Sequence, residues 1–166
     1  MRRDGPEFAF PEPLVGATAF LLAAKYGDAD MMRALAAGGA DVKVSAKDGS
    51  TPLIAAANAD HRQNGIVSTA IEDESHARDA VKAVLDLGCD VNAANQAGNT
   101  ALYIAASRGF NTVVQLLADN GAKLDVKNNR GVTPLAVTLA RRKGDKEVQL
   151  RLKNTGDLLR KLGATE

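Results

Sequence analysis

The sequence predicts an all-α solenoid of about four helix-turn-helix repeats, and three observations carry that prediction. Glycines recur at a fixed step: Gly16 and Gly49 lie 33 residues apart, as do Gly98 and Gly131, and Gly88 and Gly121. Gly49 to Gly98 and Gly39 to Gly88 are each 49 residues, one period of 33 with 16 residues added. Between the glycines one pattern returns: a turn, a Thr, a short apolar run, a second turn, and apolar residues at helical spacing. Composition agrees, being 45% hydrophobic but only 4% aromatic with no Trp, the mixture of Ala, Leu and Val that closely stacked helices require. Two short helices cannot bury their own faces, so each unit needs neighbours above and below.

Residues 1–15 read as a Pro-rich N-terminal extension or cap. Pro6, Pro11 and Pro13 oppose a helix there, while Phe8, Phe10 and Leu14 offer apolar contacts to the first repeat. The repeats then fall at about 16–45, 46–94, 95–127 and 128–166, together one domain over 16–166. In the first, helices are expected at Thr18 to Tyr26 and Ala29 to Gly38, with Met31, Met32 and Leu35 turned inward. The second opens at Lys47-Asp48-Gly49-Ser50-Thr51, continues as a helix from Pro52 to about Asn58, and holds the 16 extra residues at about 59–75. Its second helix is expected at His76 to Leu87, so the insertion reads as a loop outside the core.

The third repeat is the most regular. Gly98 is free to take a positive φ in its turn, Thr100 caps the first helix, Gly109 ends it, and a second helix is expected at Thr112 to Asn120. In the fourth, the first helix stops near Leu139, a basic stretch passes through Arg141, Arg142 and Lys143, and a last helix is expected at Thr155 to Leu162. Gly131 to Gly163 is 32 residues, against 23 from Gly98 to Gly121, so this repeat also carries an insertion, of nine.

Little reactive chemistry accompanies this scaffold. The single cysteine, Cys89, stands where a small packed residue belongs and reads as packing, not as a reactive thiol. Met31 and Met32 have no Cys or His beside them to make a soft-metal site. His61 and His76 flank the insertion near Glu72-Asp73-Glu74 but lack ligand spacing, and the acidic run suits a helix N-terminus better. No metal or cofactor is implied, and without a nucleophile elbow, phosphate loop, His-Glu-x-x-His or Cys-x-x-Cys the chain is not read as an enzyme.

Net charge is +1, which sets no overall drive toward nucleic acid or membrane. The charge is uneven: residues 128–166 hold nine Lys/Arg and four Asp/Glu, a balance of +5, leaving −4 for residues 1–127. A basic, polar end suits the solvated cap of a terminal repeat, so no nucleic-acid partner is expected. No apolar run reaches the roughly 18 residues of a membrane span, and Met1-Arg2-Arg3 is not followed by the apolar segment of a signal peptide. The compartment stays open: cytoplasmic as the sequence stands, exported if it is part of a longer chain.

Specific words mark the repeats. Thr51-Pro52-Leu53 with Ala56-Ala57, Thr133-Pro134-Leu135, Gly39-Ala40-Asp41-Val42 and Gly88-Cys89-Asp90-Val91-Asn92-Ala93, set at a 33-residue period, resemble the ankyrin repeat family over about residues 16–166. The likeness extends to bacterial multi-repeat proteins and suggests a C-terminal part of a longer chain. Where the family usually has His after Thr-Pro-Leu, this sequence has Leu21, Ile54, Tyr103 and Ala136, and Ala19 and Ala101 replace Pro.

The resemblance implies a concave groove, formed by the turn tips and the exposed side of each first helix, in which partners dock. Carried onto this chain, its partner-binding positions are Lys47, Asp48, Ser50, Gln96, Asn99, Asn129 and Arg130 in the turns, with Lys25, Tyr26, Asn58, Ser107 and Arg108 at the helix ends. Tyr26, Arg108 and Arg130 stand out as anchors, because Tyr and Arg dominate interface energetics. Two readings follow: a monomeric interaction module that binds a protein or peptide across the groove, or a structural segment of a larger repeat protein with no partner of its own.

Overall fold

Each repeat owes its first helix to a threonine. In the computed structural model, which describes residues 18–60, 69–140 and 146–165, the hydroxyls of Thr18, Thr51, Thr100 and Thr133 accept from the amides of Leu21, Ile54, Tyr103 and Ala136 at 3.2, 3.3, 3.2 and 3.1 Å. Such a cap stabilises a helix start by about 1 kcal/mol. The helices that follow are α1 (Ala19–Lys25), α3 (Pro52–Ala57), α5 (Ala101–Arg108) and α7 (Pro134–Leu139). α1 and α5 return through turns into α2 (Ala29–Ala37) and α6 (Asn111–Asp119), and α3 and α7 are followed in the chain by α4 (Ala70–Asp86) and α8 (Lys146–Leu162). First helices pack side by side in one layer and second helices in another. The fold is all-α, and among the described residues the only β feature is an isolated bridge from Ala94 to Thr100.

Burial follows the repeat. Phe20, Leu53, Leu102 and Leu135, the apolar residue two places after each capping Thr, are all about 1% exposed. Ala24, Ala56, Ala57, Ala105 and Ala106 are at 0%, so successive first helices meet through side chains that cost no rotamer entropy. Val81, Val84, Val113, Val114 and Leu117 close the second layer. Met32 is in this core, but Met31 is 50% exposed, because adjacent residues on a helix point about 100° apart and only one of them can face inward. Cys89 is half-buried, its thiol donating weakly to the Val42 carbonyl at 3.7 Å, and burial pushes its pKa up.

Two helices begin earlier than the sequence suggests. α8 starts at Lys146, not Thr155, so the described part of the insertion in repeat four lengthens a helix. α4 starts at Ala70, not His76, which turns residues 70–75 of the expected loop into helix. A reciprocal cap explains that start: the Glu72 amide donates to the Thr69 hydroxyl at 3.3 Å, and the Thr69 amide donates to the Glu72 carboxylate at 2.7 Å. The segment 1–15, His61, and the run Arg141 to Lys143 lie outside the described residues, as does most of the remaining insertion. Among the described residues no helix is long and apolar enough to cross a membrane.

Two expectations follow. The Thr69 amide and then its hydroxyl hold the Glu72 carboxyl below its ordinary value of 4.5. A lowered folded pKa means the stabilisation is whole above that value and is lost as pH falls through the folded one. Glu72→Gln should therefore reduce the acid-side loss of stability in thermal melts between about pH 7 and about pH 3, and identical acid profiles for the two proteins would contradict the cap. The second concerns Gly98, which sits at φ 75 with its would-be Cβ only 2.9 Å from the Asn129 nitrogen. Gly121 sits at φ 84 with nothing within 4 Å. Gly98→Ala should cost roughly 2 kcal/mol or more in urea unfolding, and Gly121→Ala only about 1 kcal/mol for the left-handed backbone.

Candidate functional site

The turn tips are built from short polar residues that fold back on themselves. Asp48 accepts from both the amide and the hydroxyl of Ser50, at 2.9 and 2.7 Å, and the Asn128 side chain accepts from the amides of Arg130 and Val132 at 3.0 Å each. Side-chain acceptors of this kind mimic a backbone turn. The tips are also bonded to one another. The Gln96 amide donates to the Asp48 carbonyl at 2.9 Å, and its side chain donates to the Lys47 carbonyl at 2.8 Å. One repeat on, Asn129 donates through its backbone to Ala97 at 3.0 Å and through its side chain to Gln96 at 2.8 Å. Asn99 accepts from the Asn128 side chain at 3.0 Å.

Gln96, Asn99 and Asn129, expected to meet a partner, are thus placed in bonds that tie the repeats together. Ser107 is turned back on its own helix, donating to the Ile104 carbonyl at 2.8 Å. Arg130 projects into solvent. Four expected residues do converge: Lys25, Asp48, Ser50 and Asn58 surround a concave recess of about 250 Å³ between the first helices. Its floor is apolar, made by Leu21 and Ile54 with Ala55 and Ile104 at its sides. Leu21 and Ile54 are 2% and 3% exposed, and they occupy the position where a His was expected. That replacement was the sequence signal for the floor. Tyr26 lies elsewhere, in a separate recess of about 440 Å³ at the turn from α1 to α2, with Asp28, His76 and Asp79.

Arg108 is the residue whose placement departs furthest from a groove anchor. Its Nη2 donates to the Ala59 carbonyl at 3.2 Å and lies 3.8 Å from the Asp73 carboxylate, which is 1% exposed. Its Nη1 reaches the Asn58 side chain at 3.4 Å, and the guanidinium lies over the Phe110 ring at 4.8 Å. Among the described residues, four separate groups thus hold one side chain. Next to it, α6 begins at Asn111 with Phe110 in the N-cap position and no side-chain cap of its own, and Glu74 supplies one from α4, accepting from the Thr112 amide and hydroxyl at 2.7 and 2.8 Å. Arg108→Ala is expected to destabilise the chain by about 2–4 kcal/mol in urea unfolding, because it strips a buried carboxylate of its cation. A loss below about 0.5 kcal/mol, the level of an ordinary surface change, would assign the guanidinium to the surface instead.

Comparison with known proteins agrees with this architecture. A family model described as ankyrin repeats in three copies matches residues 67–156, and a single-repeat model matches residues 15–47. Ankyrin repeat and KH domain-containing protein 1 of Homo sapiens is 35% identical over 119 residues, covering 70% of this chain and 4% of that protein. Neurogenic locus notch homolog protein 1 of Homo sapiens is 34% identical over 140 residues, covering 72% of this chain and 5% of that protein. The Drosophila melanogaster ankyrin repeat and KH domain-containing protein mask is 35% identical over 120 residues, covering 71% and 3%. The chain therefore spans a few per cent of the length of these relatives. They are animal proteins and give no support to the bacterial likeness or to a C-terminal position, since stacking geometry imposes the same repeat words whatever the lineage. With family models over most of its length and two-helix units stacked in register, the chain belongs to the ankyrin repeat family.

Proposed function

We propose that this chain is an interaction module that binds a protein or peptide across the concave face of its stack. Ankyrin repeats are in general protein-interaction modules and in general not enzymes. The observation that carries the finer reading is the recess over Leu21 and Ile54, where Lys25, Asp48, Ser50 and Asn58 bring polar groups around an apolar floor. Apolar floors with a few convergent polar groups are what binding pockets are made of. Four of the twelve positions carried over from the family meet there, and they come from α1, the turn before α3, and the end of α3.

Ala55→Arg tests the reading, since it places a long charged side chain into the recess from a half-exposed position. Protein partners captured by the unaltered chain are expected to bind this variant at least about tenfold more weakly, as steric plugs of a central pocket do. Replacing Arg141, Arg142 and Lys143 with Ala should leave capture unchanged. The opposite pattern, in variants shown by circular dichroism to remain helical, would move the site to the basic segment. Capture of nothing beyond what Ala55→Arg captures would favour a purely structural segment.

A further inference from the structure

The recess over Leu21 and Ile54 has two unlike ends. α1 and α3 pack side by side, and both start from a capping Thr at the turn tips. The Asp60 amide donates to the Lys25 carbonyl at 3.2 Å, so the far ends of the two helices are adjacent as well. Lys25, the last residue of α1, and Asn58, the C-cap of α3, therefore line the recess at its helix end, whereas Asp48 and Ser50 line it at the turn tip. One cation and one anion thus stand at opposite ends of an apolar floor. Asp60 and Arg108 near the helix end, and Lys47 at the turn, are outside the lining. Among the described residues, no ion pair within 4.0 Å joins Lys25 and Asp48 to each other or to another group. The Lys25 ammonium lies 5.9 Å from the Tyr26 ring, which keeps it at the helix end. Both bonds from Ser50 to Asp48 come from neutral donors, which orient the carboxylate and leave its charge in place. α1 is seven residues long, so at about 1.5 Å per residue the two charges stand roughly 10 Å apart.

From this bipolar lining we infer that the partner is a segment of protein with one large apolar side chain in the recess, an acidic residue toward Lys25 and a basic residue toward Asp48. The inference rests on the groove reading above and names the partner's chemistry. The apolar anchor supplies affinity through desolvation. The two charges fix which way the segment runs, since reversing it would set like charges against each other at both ends. An extended chain advances about 3.3 Å per residue, so an acid and a base about three positions apart, with the anchor between them, match the span. A uniformly acidic or uniformly basic segment meets like charge at one end. A nucleic acid meets the Asp48 carboxylate and brings no aliphatic side chain for a floor of Leu21 and Ile54.

A random peptide library displayed on phage and panned against the whole chain tests this. Enriched peptides are expected to carry Leu, Ile, Met or Phe with an acidic residue on one side and a basic residue on the other. Two double-mutant cycles then assign the ends. Exchanging the peptide's acid for Gln should weaken binding to the unaltered chain and to Asp48→Asn by about threefold, and leave binding to Lys25→Gln unchanged. Exchanging its base for Gln should cost about threefold against the unaltered chain and Lys25→Gln, and nothing against Asp48→Asn. Asn at 48 keeps an oxygen for the Ser50 amide, and circular dichroism checks that both variants remain helical. Exchanging the apolar anchor for Ser should cost at least about tenfold. Enrichment of peptides of one charge sign, of peptides without an apolar anchor, or of none, would overturn the inference, as would cycles in which neither charge of the peptide couples to Lys25 or Asp48. The groove reading fails separately: it falls if a selected peptide binds Ala55→Arg as well as the unaltered chain. It stands, and only the bipolar assignment falls, if Ala55→Arg abolishes binding of a peptide that is indifferent to Lys25→Gln and Asp48→Asn.

Discussion

Close approach between successive first helices is the constraint on which the whole stack depends. Alanines at 24, 56, 57, 105 and 106 leave no side-chain bulk between them, so the helices settle near enough for the turn tips to reach one another. The amide of Gln96 then meets the carbonyl of Asp48, and that of Asn129 meets Ala97. Each repeat gains its burial only from its neighbours, which is why stability in such arrays behaves as a sum of nearest-neighbour terms. The paired amide side chains of the tips serve the same interface, with Asn and Gln reaching across the step from one repeat to the next. Left-handed glycines such as Gly98 let the tips lie flat enough for this, where any Cβ would collide with the next tip.

The lengthened α4 shows how a segment beyond the basic repeat is tied into that stack. Three consecutive acids do three different things there. Glu72 closes the start of its own helix, Asp73 is buried beside Arg108, and Glu74 caps α6 of the following repeat. The direction of each side chain decides its task, since residues one apart on a helix diverge by about 100°. Arg108 joins these elements because its planar guanidinium can bond a carbonyl, an amide and a carboxylate in plane while offering a face to Phe110. Arg151 of α8 also approaches that ring, to 5.8 Å, so Phe110 links the second-repeat extension to the last helix.

Stacking also shapes what remains for binding. The polar turn residues that look available in the sequence are largely spent on the repeat-to-repeat bonds, which leaves a recess open between first helices. Its floor exists because Leu21 and Ile54 replace a polar side chain at two successive repeats. An aliphatic residue there cannot bridge turns by hydrogen bonds, and the Gln96 and Asn129 amides do so instead.

What the sequence by itself determined was everything that repeats at a fixed interval. Capping threonines, positive-φ glycines, the buried Phe20, Leu53, Leu102 and Leu135 and the family itself are local patterns, each set by residues within one turn or one period. Helix boundaries were legible to within a residue or two wherever the repeat was regular. They were missed at α4 and α8, where inserted residues had no period to be read against and a reciprocal cap at Thr69 decided the start. Residue roles that depend on another repeat were not legible. Arg108 is separated from Asp73 by 35 positions and Thr112 from Glu74 by 38, so whether a polar side chain faces solvent or a neighbour was decided only by stacking. Tertiary structure likewise decided which of twelve exposed-looking residues surround a common recess, because a groove belongs to the spacing between repeats and to no single one of them.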